Sequence, residues 1–385
     1  METIQLLDPA GRRCAEGPAA TAAELAGLRL DTTAIDDDLM RAMYRDMVLT
    51  RAFDNQATAL QRQGELGLWA QSLGQEGAQI GAAHALEEDD YLFPSYREHG
   101  MAQVRGLDLR EILPLFRGTQ HGGWDPAAHN FHIYSLVIGT QTLHAVGYAM
   151  GLQRDAKRAA AAQRADGDGA HTQATGSRAV MVCFGDGATS QGDVNEALVF
   201  AASSQAPVVF FLQNNHWAIS VPSSTQSPVP LASRGAGFGV PAVRVDGNDP
   251  LASYVVTRAA LERARRGDGP VLIEAVTYRM GAHTTSDDPT RYREAAEEQA
   301  WAERDPIARL RAYLEAEQLA DADFLTGVDA EADEFAAATR EHCRALAAAD
   351  VEGGIFDHVY GLPHAQVRAD RDAHRDFEQS FEESR

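Results

Sequence analysis

The sequence predicts an α/β fold built on a mostly parallel, doubly wound sheet with helices on both faces. Three observations carry that expectation. The centre of the chain holds four short apolar runs: "AVMVCF" (179–184), "PVVFFL" (207–212), "PAVRV" (241–245) and "VLIEAV" (271–276). Strongly apolar runs of strand length suit strands covered on both faces, as in parallel sheets. Helix-like segments separate these runs. In "DVNEALVFAASSQ" (193–205), Val194, Ala197, Leu198 and Ala201 fall on one helical face. Strand and helix therefore alternate, which is the pattern of a layered α/β domain.

Taken in order, residues 1–35 lack sustained periodicity and are expected as an extended N-terminal arm. A helix follows, with Asp36–Asp38 suited to its start and Gly64 to its stop. Leu39, Met40, Met43, Tyr44, Met47 and Val48 share its apolar face. A second helix is expected from near Gln75 to about Leu86, and "YLFPSYREHG" (91–100) reads as a short strand and a loop. Residues 154–178 are Ala-rich and polar, and read as a helix end plus a mobile surface insertion. Beyond about residue 294 the pattern is helical and acidic. These readings divide the chain into an arm (1–35), a main domain (36–315) and a helical acidic extension (316–385). No internal repeat is found.

Composition narrows the function. The 385 residues include 56 acidic and 34 basic side chains, a net charge of −22. That balance argues against a nucleic-acid partner, because no cationic excess exists to neutralise phosphates. No apolar run reaches membrane-spanning length, so no membrane partner is expected. The N-terminus has no basic start followed by an apolar run, and no signal peptide is expected. Cys14, Cys183 and Cys343 are far apart and odd in number. They suit a reducing cytoplasm better than a disulfide framework or a zinc site.

The tripeptide Gly-Asp-Gly occurs at 167–169, 185–187 and 267–269. The first copy lies within the insertion and reads as a turn. The third follows a basic helix end and precedes a strand, where glycine tolerates positive φ. Only the copy in "FGDGATSQGD" follows a buried strand and precedes a helix. That places Asp186 at the carboxyl end of a parallel strand, the usual ligand edge of such sheets.

The next strand ends in "QNN" (213–215), so Asp186 and Asn215 are expected at the ends of neighbouring strands. A carboxylate and an amide oxygen suit a hard cation such as Mg2+, which takes its remaining oxygens from water and phosphate. The Trp217 carbonyl offers a third oxygen. Gly187 and Ala188, at the start of the coming helix, offer N–H groups to a phosphate. Alone, the tripeptide would be a strand-to-helix turn with Asp186 as a cap. The paired Asn-Asn favours the site.

With these residues in view, the chain resembles the alpha subunit of the two-subunit, thiamine-diphosphate-dependent 2-oxo acid dehydrogenases. These are the first components of the pyruvate and branched-chain complexes. The resemblance runs from about residue 36 to 315. Its landmarks are "SLGQEGAQIG" (72–81), "YREHG" (96–100), "GTQ" (139–141), "GDGATSQGD", "QNNHWAIS" (213–220), "RVDGNDP" (244–250) and "TYRMGAHTTSDDPTRYR" (277–293).

The resemblance implies a thiamine-diphosphate-binding fold and a Mg2+ ion held by Asp186, Asn215 and the Trp217 carbonyl. It puts Tyr96 and Arg97 at the cofactor, the arginine on its diphosphate. A guanidinium suits phosphate oxygens bidentately. It makes His283 a catalytic residue near the diphosphate, and His99 a second histidine for the substrate. Ile138 falls where the family keeps an apolar residue under the bent cofactor. Ser135, Thr140 and Gln141 fall where some branched-chain relatives bind potassium. Two departures stand out. Gln213 replaces an arginine of some relatives, and Thr284, with Ser286 nearby, occupies the region of a regulatory phosphoserine.

The activity implied is oxidative decarboxylation of a 2-oxo acid, with acyl transfer to the lipoyl group of an acyltransferase component. The carboxylic acid that activates the cofactor belongs, in this family, to a beta subunit. Two alpha and two beta subunits are therefore expected, with this chain inactive alone. Glu76 is the nearest intrachain candidate for that acid, and a helix-start role suits it better. "RVDGNDP" and "TYRMGAHTTSDD" lean toward a branched-chain substrate of the 3-methyl-2-oxobutanoate type. Pyruvate and acetoin are alternatives within the class, and a scaffold that lost its chemistry is the alternative outside it. A nicotinamide enzyme is disfavoured, because no strand leads into the glycine-rich dinucleotide fingerprint.

Overall fold

A computed structural model describes residues 2–120, 122–165, 178–347 and 351–382. Its centre is a six-stranded sheet in which every pairing is parallel. Strands β1 (Thr3–Ile4), β2 (Tyr91–Phe93), β3 (Val180–Gly185) and β4 (Val208–Asn214) come first in sequence. A small antiparallel hairpin, β5 (Trp217–Ala218) and β6 (Val221–Pro222), follows. Strands β7 (Ala242–Asp246) and β8 (Val271–Val276) complete the sheet, whose spatial order is β1-β7-β8-β4-β3-β2.

The four apolar runs are thus β3, β4, β7 and β8. Alternation along the strands explains why the sheet is doubly wound. Val180, Val182, Phe184, Val208, Phe210 and Leu212 enter one core with Ala145, Val194, Ala197 and Leu198 of two covering helices, Thr140–Ala165 and Gly192–Ser204. Met181, Cys183, Val209, Phe211 and Ile273 enter the other core. Helices Asp37–Arg62, Glu76–His84 and Pro250–Arg265 cover that face.

The predicted helix caps hold. Asp36 Oδ1 accepts from Leu39 N at 2.8 Å, and Gly64 takes φ +81° just past the helix end. Residues 1–35 do more than extend. β1 pairs with β7 (Thr3↔Arg244, Ile4↔Val245), and a helix forms over Glu16–Leu25. A two-residue strand is too short for a periodic signal. The Ala-rich start of the insertion continues the helix Thr140–Ala165, while Gly167-Asp168-Gly169 lies outside the described residues. The acidic C-terminal stretch is helical. Its helix Ala322–Ala345 packs on Asp37–Arg62 through Tyr44–Phe324 and Phe53–Phe335 ring contacts. Among the described residues no helix is long and apolar enough to cross a membrane.

Candidate active site

Because all six strands are parallel, their carboxyl ends share one edge. The segments leaving β2, β3, β4 and β8, four adjacent strands, enclose a cavity of about 250 Å³. Tyr96 and Arg97 come from the β2 end, Asp186, Gly187 and Ala188 from β3, Asn215 and Trp217 from β4, and Arg279 and His283 from β8.

Register brings the expected metal oxygens together. β3 and β4 are neighbours, with Gly185 opposite Gln213, so Asp186 and Asn215 leave adjacent strand ends. Asp186 is 1% exposed, and burial pushes its carboxyl up to about 6. It accepts from Gln226 Nε2 at 3.1 Å. The two asparagines part company. Asn214 is held by structure, donating to Glu274 Oε1 at 2.7 Å and accepting from His216 N at 3.2 Å. Asn215 faces the cavity, where it donates to Gln75 Oε1 at 3.1 Å and accepts from Trp217 N at 3.2 Å. The Trp217 carbonyl accepts from Arg279 Nη1 at 2.8 Å.

Gly187 is required by close approach: a Cβ there would lie 2.8 Å from Ala218 Cβ in the hairpin. One expectation needs correction. Gly187 and Ala188 do not open the following α-helix, because Asp186–Ser190 forms a separate 3-10 turn and the helix starts at Gly192. Their N–H groups belong to the first residues of that tighter turn, which still lines the cavity.

Tyr96, Arg97 and His283 form one cluster. The Tyr96 hydroxyl lies 3.3 Å from His283 Nε2, and Arg97 Nη2 donates to the His283 carbonyl at 2.8 Å. Arg97 Nη1 donates to the Gln71 carbonyl. Burial first, then the positive charges of Arg97 and Arg279, push the His283 imidazole down to about 4. At neutral pH it is uncharged, with one nitrogen free to accept a proton.

His99 is not brought to the cavity. It is fully buried behind the wall, with Nε2 donating to the Ala70 carbonyl and Nδ1 accepting from the Tyr134 hydroxyl, each at 2.8 Å. Burial pushes it down to about 3, and the Trp69 ring stacks on it at 4.5 Å. The physical reason is local: His99 opens a short helix, His99–Val104, that turns it inward from Tyr96 and Arg97. Glu76 is likewise held inside, accepting from Gly74 N at 2.9 Å and Arg51 Nε at 2.8 Å.

Ile138 lines the cavity and is 42% exposed. Of the three residues of the expected potassium position, Gln141 reaches the cavity, donating to the Cys183 carbonyl at 2.8 Å. Ser135 Oγ instead donates to the Val137 carbonyl at 3.3 Å. Gln213 also lines the cavity, where Glu98 accepts from it at 2.6 Å. Thr284 and Ser286 stand in the loop beyond His283, in which Asp287 Oδ2 accepts from His283 N at 3.0 Å.

Sequence reasoning missed Arg279, Gln75 and Gln226. Arg279 is fully buried and binds the Trp217 and Ile219 carbonyls, at 2.8 and 2.7 Å, and the Tyr292 hydroxyl at 3.1 Å. The available signal was its place three residues beyond a buried strand, at the same edge as Asp186.

The residues present fit a metal-bound diphosphate. Among the described residues no group of three or more His, Cys, Asp or Glu side chains could hold a metal by itself. Asp186, Asn215 and the Trp217 carbonyl offer three hard oxygens with a single negative charge. A divalent cation there needs further anionic oxygens from its ligand. Arg97 and Arg279 supply the positive field for such a ligand. Gln75 Nε2, Gln141 Oε1 and Arg279 Nε are buried in the cavity residues without a hydrogen-bond partner. Buried polar atoms are almost always paired, so the cavity suits a polar guest.

Residues 44–345 match the family model described as dehydrogenase E1 component. The 3-methyl-2-oxobutanoate dehydrogenase subunit alpha of Mycobacterium tuberculosis is 48% identical over 317 residues, covering 82% of this chain and 78% of that protein. The pyruvate dehydrogenase E1 component subunit alpha of Acholeplasma laidlawii is 43% identical over 274 residues, 71% of this chain and 74% of that one. Its namesake in Staphylococcus aureus is 40% identical over 282 residues, with 73% and 71% covered. By fold, by site and by this similarity over most of its length, the chain belongs to the dehydrogenase E1 component family.

Proposed function

We propose that this chain is the alpha subunit of a thiamine-diphosphate-dependent dehydrogenase that decarboxylates a branched-chain 2-oxo acid of the 3-methyl-2-oxobutanoate type. The observation that carries the reading is the oxygen set of Asp186, Asn215 and Trp217, facing the same cavity as Arg97 and Arg279. Those oxygens would hold Mg2+, and the two guanidinium groups, with the Gly187 and Ala188 N–H groups, would favour the diphosphate. Thiamine diphosphate, when bound, supplies the electron sink for loss of carbon dioxide. His283, neutral and beside the Tyr96 hydroxyl, can take or give a proton at Nε2 during acyl transfer to a lipoyl group.

Among the described residues the cavity has no acid free to activate the cofactor. Asp186 is committed to the metal. Glu98 lines the cavity but accepts from Ser95 Oγ at 2.8 Å and Gln213 Nε2 at 2.6 Å, and Glu76 is pinned inside. This supports the reading that a second chain, a beta subunit, supplies the acid, in a two-alpha, two-beta assembly. Ile138 and Ile219 line the cavity and are 42% and 51% exposed, apolar surface that a protein partner would cover. The lipoyl-bearing acyltransferase component is the second partner. Cys14, Cys183 and Cys343 are free thiols, which suits the cytoplasm. The branched-chain substrate rests on the M. tuberculosis relative at 48% identity. Pyruvate is the second reading, favoured by the relatives at 43% and 40%.

The test is co-expression with a beta subunit and assay of decarboxylation with an artificial electron acceptor, thiamine diphosphate and Mg2+. Turnover of 3-methyl-2-oxobutanoate above pyruvate, requiring both chains, is the expected result. Turnover by this chain alone overturns the shared site, and a preference for pyruvate moves the substrate.

A further inference from the structure

We infer that Asp54 is a positioning residue: through the loop Trp69–Gly74 it sets the two outer walls of the cofactor cavity at their working separation. The inference rests on the cofactor reading above and adds a residue that does not touch the cavity.

The geometry begins on the helix Asp37–Arg62, where Asp54 is fully buried. Its Oδ1 accepts from Trp69 Nε1 at 2.7 Å, and its Oδ2 accepts from Ser72 N at 3.1 Å and Leu73 N at 3.0 Å. Glu76 takes the next N–H of the loop, that of Gly74, at 2.9 Å. Two buried carboxylates thus hold the amide side of the loop.

The carbonyl side holds the site. On the β2 side, Gln71 O accepts from Arg97 Nη1, and Ala70 O accepts from His99 Nε2 at 2.8 Å. On the β8 side, Leu73 O accepts from Met280 N at 3.0 Å, Gly74 O from Thr277 Oγ1 at 2.8 Å, and Trp69 O from Thr285 N at 3.0 Å. Trp69 N returns a bond to Thr285 Oγ1, also at 3.0 Å. The loop is packed as closely as it is bonded: a Cβ on Gly281 would lie 2.3 Å from Gln71 Oε1.

β2 and β8 are not neighbours. β3 and β4 lie between them, so their ends stand roughly 14 Å apart at ordinary strand spacing. Arg97 and His283 belong to those two ends and nevertheless meet directly, Arg97 Nη2 donating to the His283 carbonyl at 2.8 Å, so the walls converge on one point that the loop supports from behind. One loop carries hydrogen bonds to both sides, and Asp54 fixes that loop from behind. A buried carboxylate is a costly means of filling core space, and burial pushes this one up to about 7. Its three donors all come from the loop, so the buried carboxyl group serves the loop's shape.

Asn tests the idea at constant size. In Asp54→Asn one acceptor oxygen becomes an NH2 donor, which must face Trp69 Nε1 or the Ser72 and Leu73 N–H groups. The variant and the wild type would each be assembled with the beta subunit. Thiamine diphosphate affinity with Mg2+ would be measured by calorimetry. Hydrogen exchange would be followed by mass spectrometry without cofactor. The expected result is a dissociation constant raised about tenfold, the lower end for residues that orient ligands from behind. Faster exchange is expected in segments 69–74 and 280–287, with the helix Asp37–Arg62 still protected.

Unchanged affinity in a wild-type-like assembly overturns the inference. So does faster exchange confined to 69–74, which would mean that the loop loosens without moving the walls. If Asp54→Asn does not assemble, Trp69→Phe removes one donor and keeps an aromatic side chain, though a smaller one. A rise of at least twofold in its dissociation constant supports the role, and no rise overturns it. Absence of thiamine diphosphate binding by the wild-type pair would instead sink the cofactor reading, while the exchange measurement would still report on the loop.

Discussion

Two aspartates stand just past the carboxyl ends of parallel strands in this sheet, both buried, and burial pushes both carboxyls up to about 6. Asp186 follows β3 and Asp249 follows β7, each within a Gly- and Asp-rich turn. Their partners differ. Asp249 Oδ2 accepts from Leu6 N at 2.7 Å and Leu7 N at 2.6 Å, while Oδ1 accepts from Leu251 N and Ala252 N at 3.1 Å each. Four backbone donors saturate it, fastening β1 to the sheet edge and capping the helix Pro250–Arg265. Asp186 has one side-chain donor, Gln226, with the N–H groups of Asp186 and Asn215 nearby. It faces a cavity that holds two guanidinium groups. Residue type, burial and pKa are alike. What separates a clasp from a site is how fully the chain's own donors use up the carboxylate.

The comparison breaks most visibly by exchanging the roles. Asp186→Asn keeps size and removes the charge that the proposed cation would need. Activity of the assembled enzyme is expected to fall about a thousandfold, equivalent to ~4 kcal/mol. The melting temperature without cofactor should stay close to wild type, because no network collapses. Asp249→Ala should do the reverse. Four N–H groups lose their acceptor, two of them at a helix start, for a loss of about 3 kcal/mol in stability. Denaturant titration reads that loss, and the folded fraction should keep its cofactor affinity. A stable Asp249→Ala, or an Asp186→Asn that unfolds, would remove the distinction.

His99 extends the criterion to a third buried group. Both its ring nitrogens are satisfied by the chain, so it belongs with Asp249 as structure. Its folded pKa of about 3 lies below the usual 6.5, so the unfolded chain binds the extra proton. Stability from this group is full above pH 6.5 and is lost as pH falls from there toward 3. Between pH 7.5 and 5.5 the loss is about 1.4 kcal/mol, from the unfolded-state pKa alone. The stability difference between those two pH values should shrink by that amount in His99→Gln. An unchanged difference would mean that His99 is not held neutral.

These cases also show what the sequence makes legible. β3, β4 and β8 are covered on both faces, so they are strongly apolar, with Glu274 the one charged residue among them, and that character names them strands. Asp186 and Asn215 are legible because strand, turn, helix, strand and Asn-Asn follow one another within about thirty residues. β1 is not, since its place depends on Asp249, 243 positions from Leu6. Arg279 is hidden for the same reason. Its partners come from the hairpin and from Tyr292, and nothing in "TYRMGAH" shows that the guanidinium will be buried against them. His99 is the converse case, buried behind the cavity wall. Its neighbours in "YREHG" do line the cavity, but the turn of a short helix separates side chains that adjacency in sequence joins.

The finest test of the comparison is the single side-chain donor that Asp186 does have. Gln226 lies in a short helix, Ser223–Gln226, beyond the hairpin, and its amide oxygen accepts from Ser190 Oγ at 3.2 Å. It thereby ties the 3-10 turn of the site to the segment that carries Trp217. If Asp186 is kept for a cation, Gln226 orients the carboxylate without satisfying it, and its loss matters little. Gln226→Ala should weaken Mg2+ affinity by a fewfold, about 1 kcal/mol, with no measurable loss of stability. Were Gln226 a structural partner like the donors of Asp249, the same change would instead leave a buried carboxylate unsupported and lower the melting temperature. Mg2+ titration of the assembled enzyme at fixed thiamine diphosphate, beside a thermal melt, separates the two outcomes, because an orienting bond and a clasping bond to the same oxygen load opposite sides of the measurement.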